Sequence, residues 1–291
     1  MFIKLSGYTK AGLFYGLAVG LAIIVATQAA RLGADGAEIM NMVMALIAVL
    51  LMLLVVTRDG YRKAGWQALA LHRVGFRDWG LAVLGPILVL GVTYGIVWTT
   101  GLGRFVWDAD QGAVDLILSL IINLLIVVIF SLAEEIGWRG YLLPHLLPLG
   151  RNRALLLSGF LHGMWHLPIM LMTPYYHGAG NLWIIIPLFL LTLTTAGVFY
   201  GYLRLTSAST WPAAIAHGVF NTFWGQFSAL TVAVGSPLVL EYLAGESGLL
   251  TLIGTALLAG WLLVRWNRPA HRVTPPVDLS ITRPSAAMKA K

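Results

Sequence analysis

Residues 114–140 read VDLILSLIINLLIVVIFSLAEEIGWRG. Leucine, isoleucine and valine follow one another almost without pause up to Ala133, a run long enough to cross a hydrocarbon core of about 30 Å as a helix. The run ends on two adjacent carboxylates, Glu134 and Glu135, with Arg139 one turn later. A charge near the centre of a bilayer costs roughly 2.5 to 3.5 kcal/mol on insertion scales, so carboxylates at such a boundary face a cavity and work there. This stretch sets the fold class, an all-α polytopic membrane helix bundle, and marks where chemistry is expected.

The rest of the chain agrees. Its 291 residues are 58% hydrophobic and 11% charged, with a mean hydropathy of +0.81. Read against the length of a spanning helix, the apolar runs predict about eight transmembrane helices, near 11–30, 39–57, 80–99, 114–137, 153–173, 182–203, 210–231 and 248–265. The first is too long for the apolar core of a cleavable signal and reads as a retained span. Cysteine is absent, which excludes disulfides, thiolate metal sites and a cysteine nucleophile. The net charge of +7 fits basic residues collected at a membrane surface and does not call for nucleic acid. Of the 19 Lys and Arg, only Arg31 and Arg104 fall on one side of the eight-span map, which puts both termini in the cytoplasm. Asp35, Glu38, Asp108, Asp110, Glu241 and Glu246 fall in the loops on the opposite side.

Residues 60–78 mix Arg62, Lys63 and Arg73 with Trp66, Leu69 and Leu71, the pattern of an amphipathic segment on the membrane surface. Residues 267–291 carry four prolines among scattered charges and read as a disordered cytoplasmic tail. The remainder, 1–266, reads as one transmembrane domain without internal repeats.

Four polar features lie inside the apolar spans: the Glu134–Glu135 pair with Arg139, then His166, His217 and Asn221. Helical positions four apart share a face, so Glu135 pairs with Arg139 and His217 with Asn221, while Glu134 points about 100° away from Glu135. At 1.5 Å per residue, His166 lies roughly 18 Å into its span and His217 roughly 10 Å into its own, so all could meet in one cavity. Spacing and depth favour a catalytic or transport site over interhelical glue, with Glu134 as a general base. His162 lies four before His166, and a glutamate with two histidines from His162, His166 and His217 could form a zinc set of the hydrolase type. H-x-x-x-H without an adjacent glutamate is a weak signal, however, and Asn221 beside His217 suits a hydrogen-bonding pair better, so no metal and no other cofactor is expected. His72, His145, His177 and His271 receive no role.

In these residues the sequence resembles the CPBP family, the CAAX prenyl endopeptidases and bacterial bacteriocin-processing or self-immunity (Abi) proteins. The first motif, E-E-x-x-x-R, matches Glu134, Glu135 and Arg139; the second, F-x-x-x-H, matches at His166 with His162 in the aromatic position; the third, H-x-x-x-N, matches His217 and Asn221. The resemblance covers about 130–225. It implies an intramembrane, glutamate-dependent endopeptidase that cuts a membrane-embedded or lipid-anchored substrate, of prenylated type, near its C terminus, and it points to a bacterial inner membrane. It also implies that Glu134 and His166 activate water, that His217 and Asn221 hold the oxyanion, and that Glu135 and Arg139 support them. Two other readings stand beside it: a non-catalytic immunity or partner-binding membrane protein, and a proton-coupled transporter.

Overall fold

A computed structural model of the chain describes residues 5–107, 112–174, 180–246 and 248–267. The expected tail, with His271, lies outside the described residues, as do His177, Asp108 and Asp110. The architecture is all-α, because a backbone deprived of water must satisfy its own N–H and C=O groups within each span. In order, the helices are α1 (Gly7–Thr27), α2 (Ala29–Leu51), a short α3 (Lys63–Ala68), α4 (Trp79–Thr99), α5 (Ala113–Glu135), α6 (Leu143–Leu146), α7 (Arg151–Trp165), α8 (Leu167–Met172), α9 (Leu182–Ser207), α10 (Trp211–Ala229), α11 (Pro237–Leu243) and α12 (Leu249–Asn267). Two three-residue strands, β1 (Gly103–Phe105) and β2 (Thr231–Ala233), pair antiparallel with Arg104 opposite Val232 and tie the end of α4 to the end of α10.

Among the described residues, seven helical segments are long and apolar enough to cross a membrane, which makes this a multi-pass membrane protein. The eighth expected span is α10, a 19-residue helix that falls outside those seven and carries His217, Asn221 and Gln226. It packs against α5, α4 and α9 within the bundle. The second span begins earlier than expected. Helix α2 starts at Ala29, with a break at Gly33 whose φ of 74° glycine adopts without steric cost. Glu38, expected in an exterior loop, is therefore a buried residue of α2, on one face with Asn41, Ala45 and Ala48.

Helix α5 changes character along its length. Ile117, Ile121, Ile122, Leu125 and Ile129 are exposed, as a lipid-facing surface must be. From Ala133 to Leu143 every residue is buried. Straight after Glu135 the helix widens into a π-helical turn, Ile136–Leu142, a deformation often found at functional sites. Helices α7 and α9 cross in close contact at Gly159 and Gly197. A Cβ at residue 159 would sit 2.6 Å from the Thr194 carbonyl, and one at residue 197 would collide with the Gly159 backbone.

Residues 59–78 contain a 3₁₀ turn (Asp59–Tyr61), α3 and a second 3₁₀ turn (Phe76–Asp78), with Trp66 exposed and Leu69 buried. The backbone carbonyls that follow α3 clamp the α9–α10 connection. Thr210 Oγ1 donates to Leu69 O (2.7 Å), Trp211 Nε1 to Leu71 O (3.1 Å) and Ser209 Oγ to Arg73 O (2.5 Å).

Candidate active site

The end of α5 and its π-helical turn carry Glu134, Glu135 and Arg139 into the core, and α7 and α10 bring histidines to them. Glu134 Oε2 lies 2.8 Å from His162 Nε2 and 4.0 Å from His166 Nε2. Arg139 Nη1 donates to Glu135 Oε1 at 2.7 Å, the i,i+4 pairing expected from spacing, and also reaches His162 Nδ1 at 3.1 Å. The same Glu135 oxygen accepts from His217 Nδ1 at 3.0 Å. Glu134, Glu135, Arg139, His162, His166 and His217 are all buried.

Local sequence explains these positions. Pro168 lacks the N–H that would continue α7, so α7 passes into α8 at His166, which turns its ring into the cluster. Its Nδ1 faces Glu38 Oε1 of α2 at 3.6 Å. On α10, a Cβ at Gly218 would meet the Val128 backbone at 2.8 Å, so the glycine lets α10 approach α5 closely enough for His217 to reach Glu135. Aromatic rings wall the cluster. Trp138 stacks on His162 with centroids 4.9 Å apart, and Tyr200 stacks on His217 at 5.4 Å with the Arg139 guanidinium 5.1 Å above its ring. Trp165 donates from Nε1 to Ala18 O on α1 and fixes α7 from the other side.

Asn221 lies one turn beyond His217, half-buried, and its Oδ1 has no hydrogen-bond partner among the described residues. Of the expected residues, Glu134, Glu135, Arg139, His166 and His217 thus gather at one place, with His217 bound to Glu135 and His166 at a longer distance from Glu134. Sequence reasoning misses one neighbour, Glu38, which reads as a loop residue although its spacing to Asn41, Ala45 and Ala48 is that of a helix face. His162, which the sequence offers as a zinc ligand and as a departure from an aromatic position, makes the shortest contact to Glu134. Glu246, also expected in an exterior loop, sits in the turn after α11, where burial and the Glu38 carboxylate push its carboxyl up to about 8.

Glu134, His162 and His166 offer ligand atoms within 4.8 Å of one another. Arginine only donates hydrogen bonds, so His162 Nδ1 must accept from Arg139, and the ring hydrogen then sits on Nε2, the nitrogen facing Glu134. A nitrogen that carries hydrogen has no lone pair for a metal. His217, whose Nδ1 is committed to Glu135, does not belong to that group of closely spaced ligand atoms. Two remaining donors fall short of the three protein ligands of a catalytic zinc, and the residues do not fit that group.

Comparison with known proteins bears on this geometry. Residues 115–223, from the first turn of α5 into α10, match the family model described as type II CAAX prenyl endopeptidase Rce1-like. No curated protein matches the chain. The matched segment contains Glu134, Glu135, Arg139, His162, His166, His217 and Asn221 and leaves Glu38 outside it. The stretch from α5 into α10 of this multi-pass membrane protein is therefore similar to the Rce1-like type II CAAX prenyl endopeptidase family.

Proposed function

We propose that the protein is an intramembrane endopeptidase that uses Glu134 as general base to cut a lipid-anchored, prenylated-type peptide near its C terminus. The observation that carries this reading is the 4.0 Å separation of Glu134 Oε2 and His166 Nε2, a gap that one water spans with a bond of about 2.8 Å to each side. With its hydrogen on Nδ1, the nitrogen turned to Glu38, His166 presents a lone pair at Nε2. The water then donates one hydrogen to each acceptor and keeps its oxygen lone pair for the substrate carbonyl.

Attack forms the C–O bond, moves the carbonyl electrons onto oxygen and passes a water proton to Glu134. Asn221 Nδ2–H and His217 Nε2–H supply the oxyanion donors, where preorganised hydrogen bonds act most strongly. His217 Nδ1–H is committed to Glu135, so donation from Nε2 requires hydrogen on both ring nitrogens, beside a carboxylate that Arg139 also binds. Collapse breaks the C–N bond, and the proton held by Glu134 leaves with the amine. One water and one peptide bond give one carboxylic acid and one amine, which exchange a proton to become carboxylate and ammonium, with no external reductant or ion. The basic residues on the α3 side of the bundle and the positive-inside rule support a cytoplasmic location for both termini.

The test is release of a C-terminal fragment from a peptide bearing a prenylated cysteine, followed by mass spectrometry with purified protein in detergent. Glu134→Gln is expected to reduce the chemical step to background while the thermal transition stays near wild type. Turnover by folded Glu134→Gln, or no cleavage by wild type of prenylated and plain peptides alike, would defeat the reading.

A further inference from the structure

The shortest contact to Glu134 comes from a residue with no part in the hydrolytic steps above. His162 is fully buried on α7, one turn beyond the Gly159 crossing, with its ring fixed flat against Trp138. Both its nitrogens are engaged, Nε2 with Glu134 at 2.8 Å and Nδ1 with Arg139 at 3.1 Å. The guanidinium cannot accept, so only the neutral tautomer with hydrogen on Nε2 satisfies both contacts. Arg139 in turn binds Glu135, and Glu135 binds His217. Five side chains form one chain of hydrogen bonds, Glu134, His162, Arg139, Glu135 and His217, running from the proposed base to the proposed oxyanion donor.

We infer that His162 is a positioning residue: held by Arg139 as the Nε2–H tautomer, it fixes the Glu134 carboxylate in the orientation that faces His166 and links the base to the oxyanion side of the site. A glutamate has three rotatable side-chain bonds. One donor of fixed direction selects among its rotamers. Misplacement of a reacting group by about 1 Å can cost on the order of 100-fold in rate, so the donor acts on kcat rather than on substrate affinity. Phenylalanine at residue 162 keeps the stack on Trp138 and removes both hydrogen bonds. Glutamine reaches the same depth as Nε2 and restores an N–H toward Glu134.

This inference rests on the hydrolytic reading, and the experiment separates the two. The full-length protein is assayed in detergent as wild type, Glu134→Gln, His162→Phe and His162→Gln, with kcat and KM determined on the prenylated peptide. Ring ¹⁵N spectra of wild type report the His162 tautomer, identified by the signal lost in His162→Gln. Wild-type cleavage that stops in Glu134→Gln upholds the hydrolytic reading. The inference expects kcat to fall about 10- to 100-fold in His162→Phe with KM within twofold, and to recover most of that loss in His162→Gln. It is overturned by His162→Phe turning over at the wild-type rate, by His162→Gln being as slow as His162→Phe, or by a His162 ring with hydrogen on Nδ1 or on both nitrogens. The tautomer needs no stable variant at Glu134 and no turnover, so it decides the contact even where wild type proves inactive or His162→Phe does not fold.

Discussion

Replacing Arg139 with methionine leaves Glu135 and His162 buried without the donor they share. Breaking a buried ion pair from one side typically costs about 3 to 5 kcal/mol, because the surviving charge has no compensation. Arg139→Met should therefore lower the thermal transition in detergent far more than Asn221→Ala. Adding Glu135→Gln to Arg139→Met should cost less than the sum of the two single changes. Asn221→Ala should leave stability near wild type and reduce kcat by about 10²- to 10³-fold, the usual loss of one oxyanion donor. Equal kcat in wild type and Asn221→Ala would remove Asn221 from the reaction. At this scale the sequence was legible where helix spacing alone decides. Glu135 and Arg139 are four positions apart, and the pair forms as spacing requires. The contact between His162 and Glu134 joins residues 28 apart on different helices, and no periodicity within one helix encodes it.

Helices α7 and α9 owe their approach to Gly159 and Gly197, and His162 lies one turn from the crossing. A valine at residue 197 would press on the Gly159 backbone and on Arg139 Nη2, which would lie 3.0 Å from its Cβ. Overpacking of this kind costs roughly 1 to 3 kcal/mol, so Gly197→Val should lower both the thermal transition and kcat. Gly95→Ala on α4 is the control, since a Cβ there meets nothing within 4 Å. Equal stability of the two variants would show that the crossing does not hold the site. The apolar helices were legible as elements because each run is long and uninterrupted. One stretch was not. The first turns of α2, from Ala29, include Gly33, Asp35 and Gly36, residues that read as a loop, which hides Glu38 from view. Helix α10 is legible as a span near 210–231 although its polar face lowers its apolarity, and its packing against α5, α4 and α9 sets it within the bundle.

Across the whole molecule, one titration should be visible in stability. The Glu246 carboxyl, raised from the ordinary 4.5 to about 8 by burial and by Glu38, holds its proton in the folded protein at pH values where the unfolded chain has lost it. Its contribution is present in full below about pH 4.5 and drains away as pH rises through 8, because each step toward alkaline pH favours the state that binds fewer protons. The thermal transition should decline between pH 5 and about 9 in wild type and decline less in Glu246→Gln. A wild-type profile unchanged by that substitution would refute the assignment.

The clamp on the α9–α10 connection carries a consequence in time. Its acceptors, the carbonyls of Leu69, Leu71 and Arg73, precede their donors by 136 to 141 residues. At 5 to 20 residues per second, synthesis separates the two halves by roughly 7 to 28 s. Throughout that interval the segment after α3 has no protein donor for those carbonyls and must keep them hydrated. A ribosome-stalled chain ending near residue 200 should therefore expose residues 69–73 to protease or hydrogen exchange, and one extended past α10 should protect them. The last side chain of the cluster to be made, His217, would arrive within the same few seconds as the donors that close the clamp.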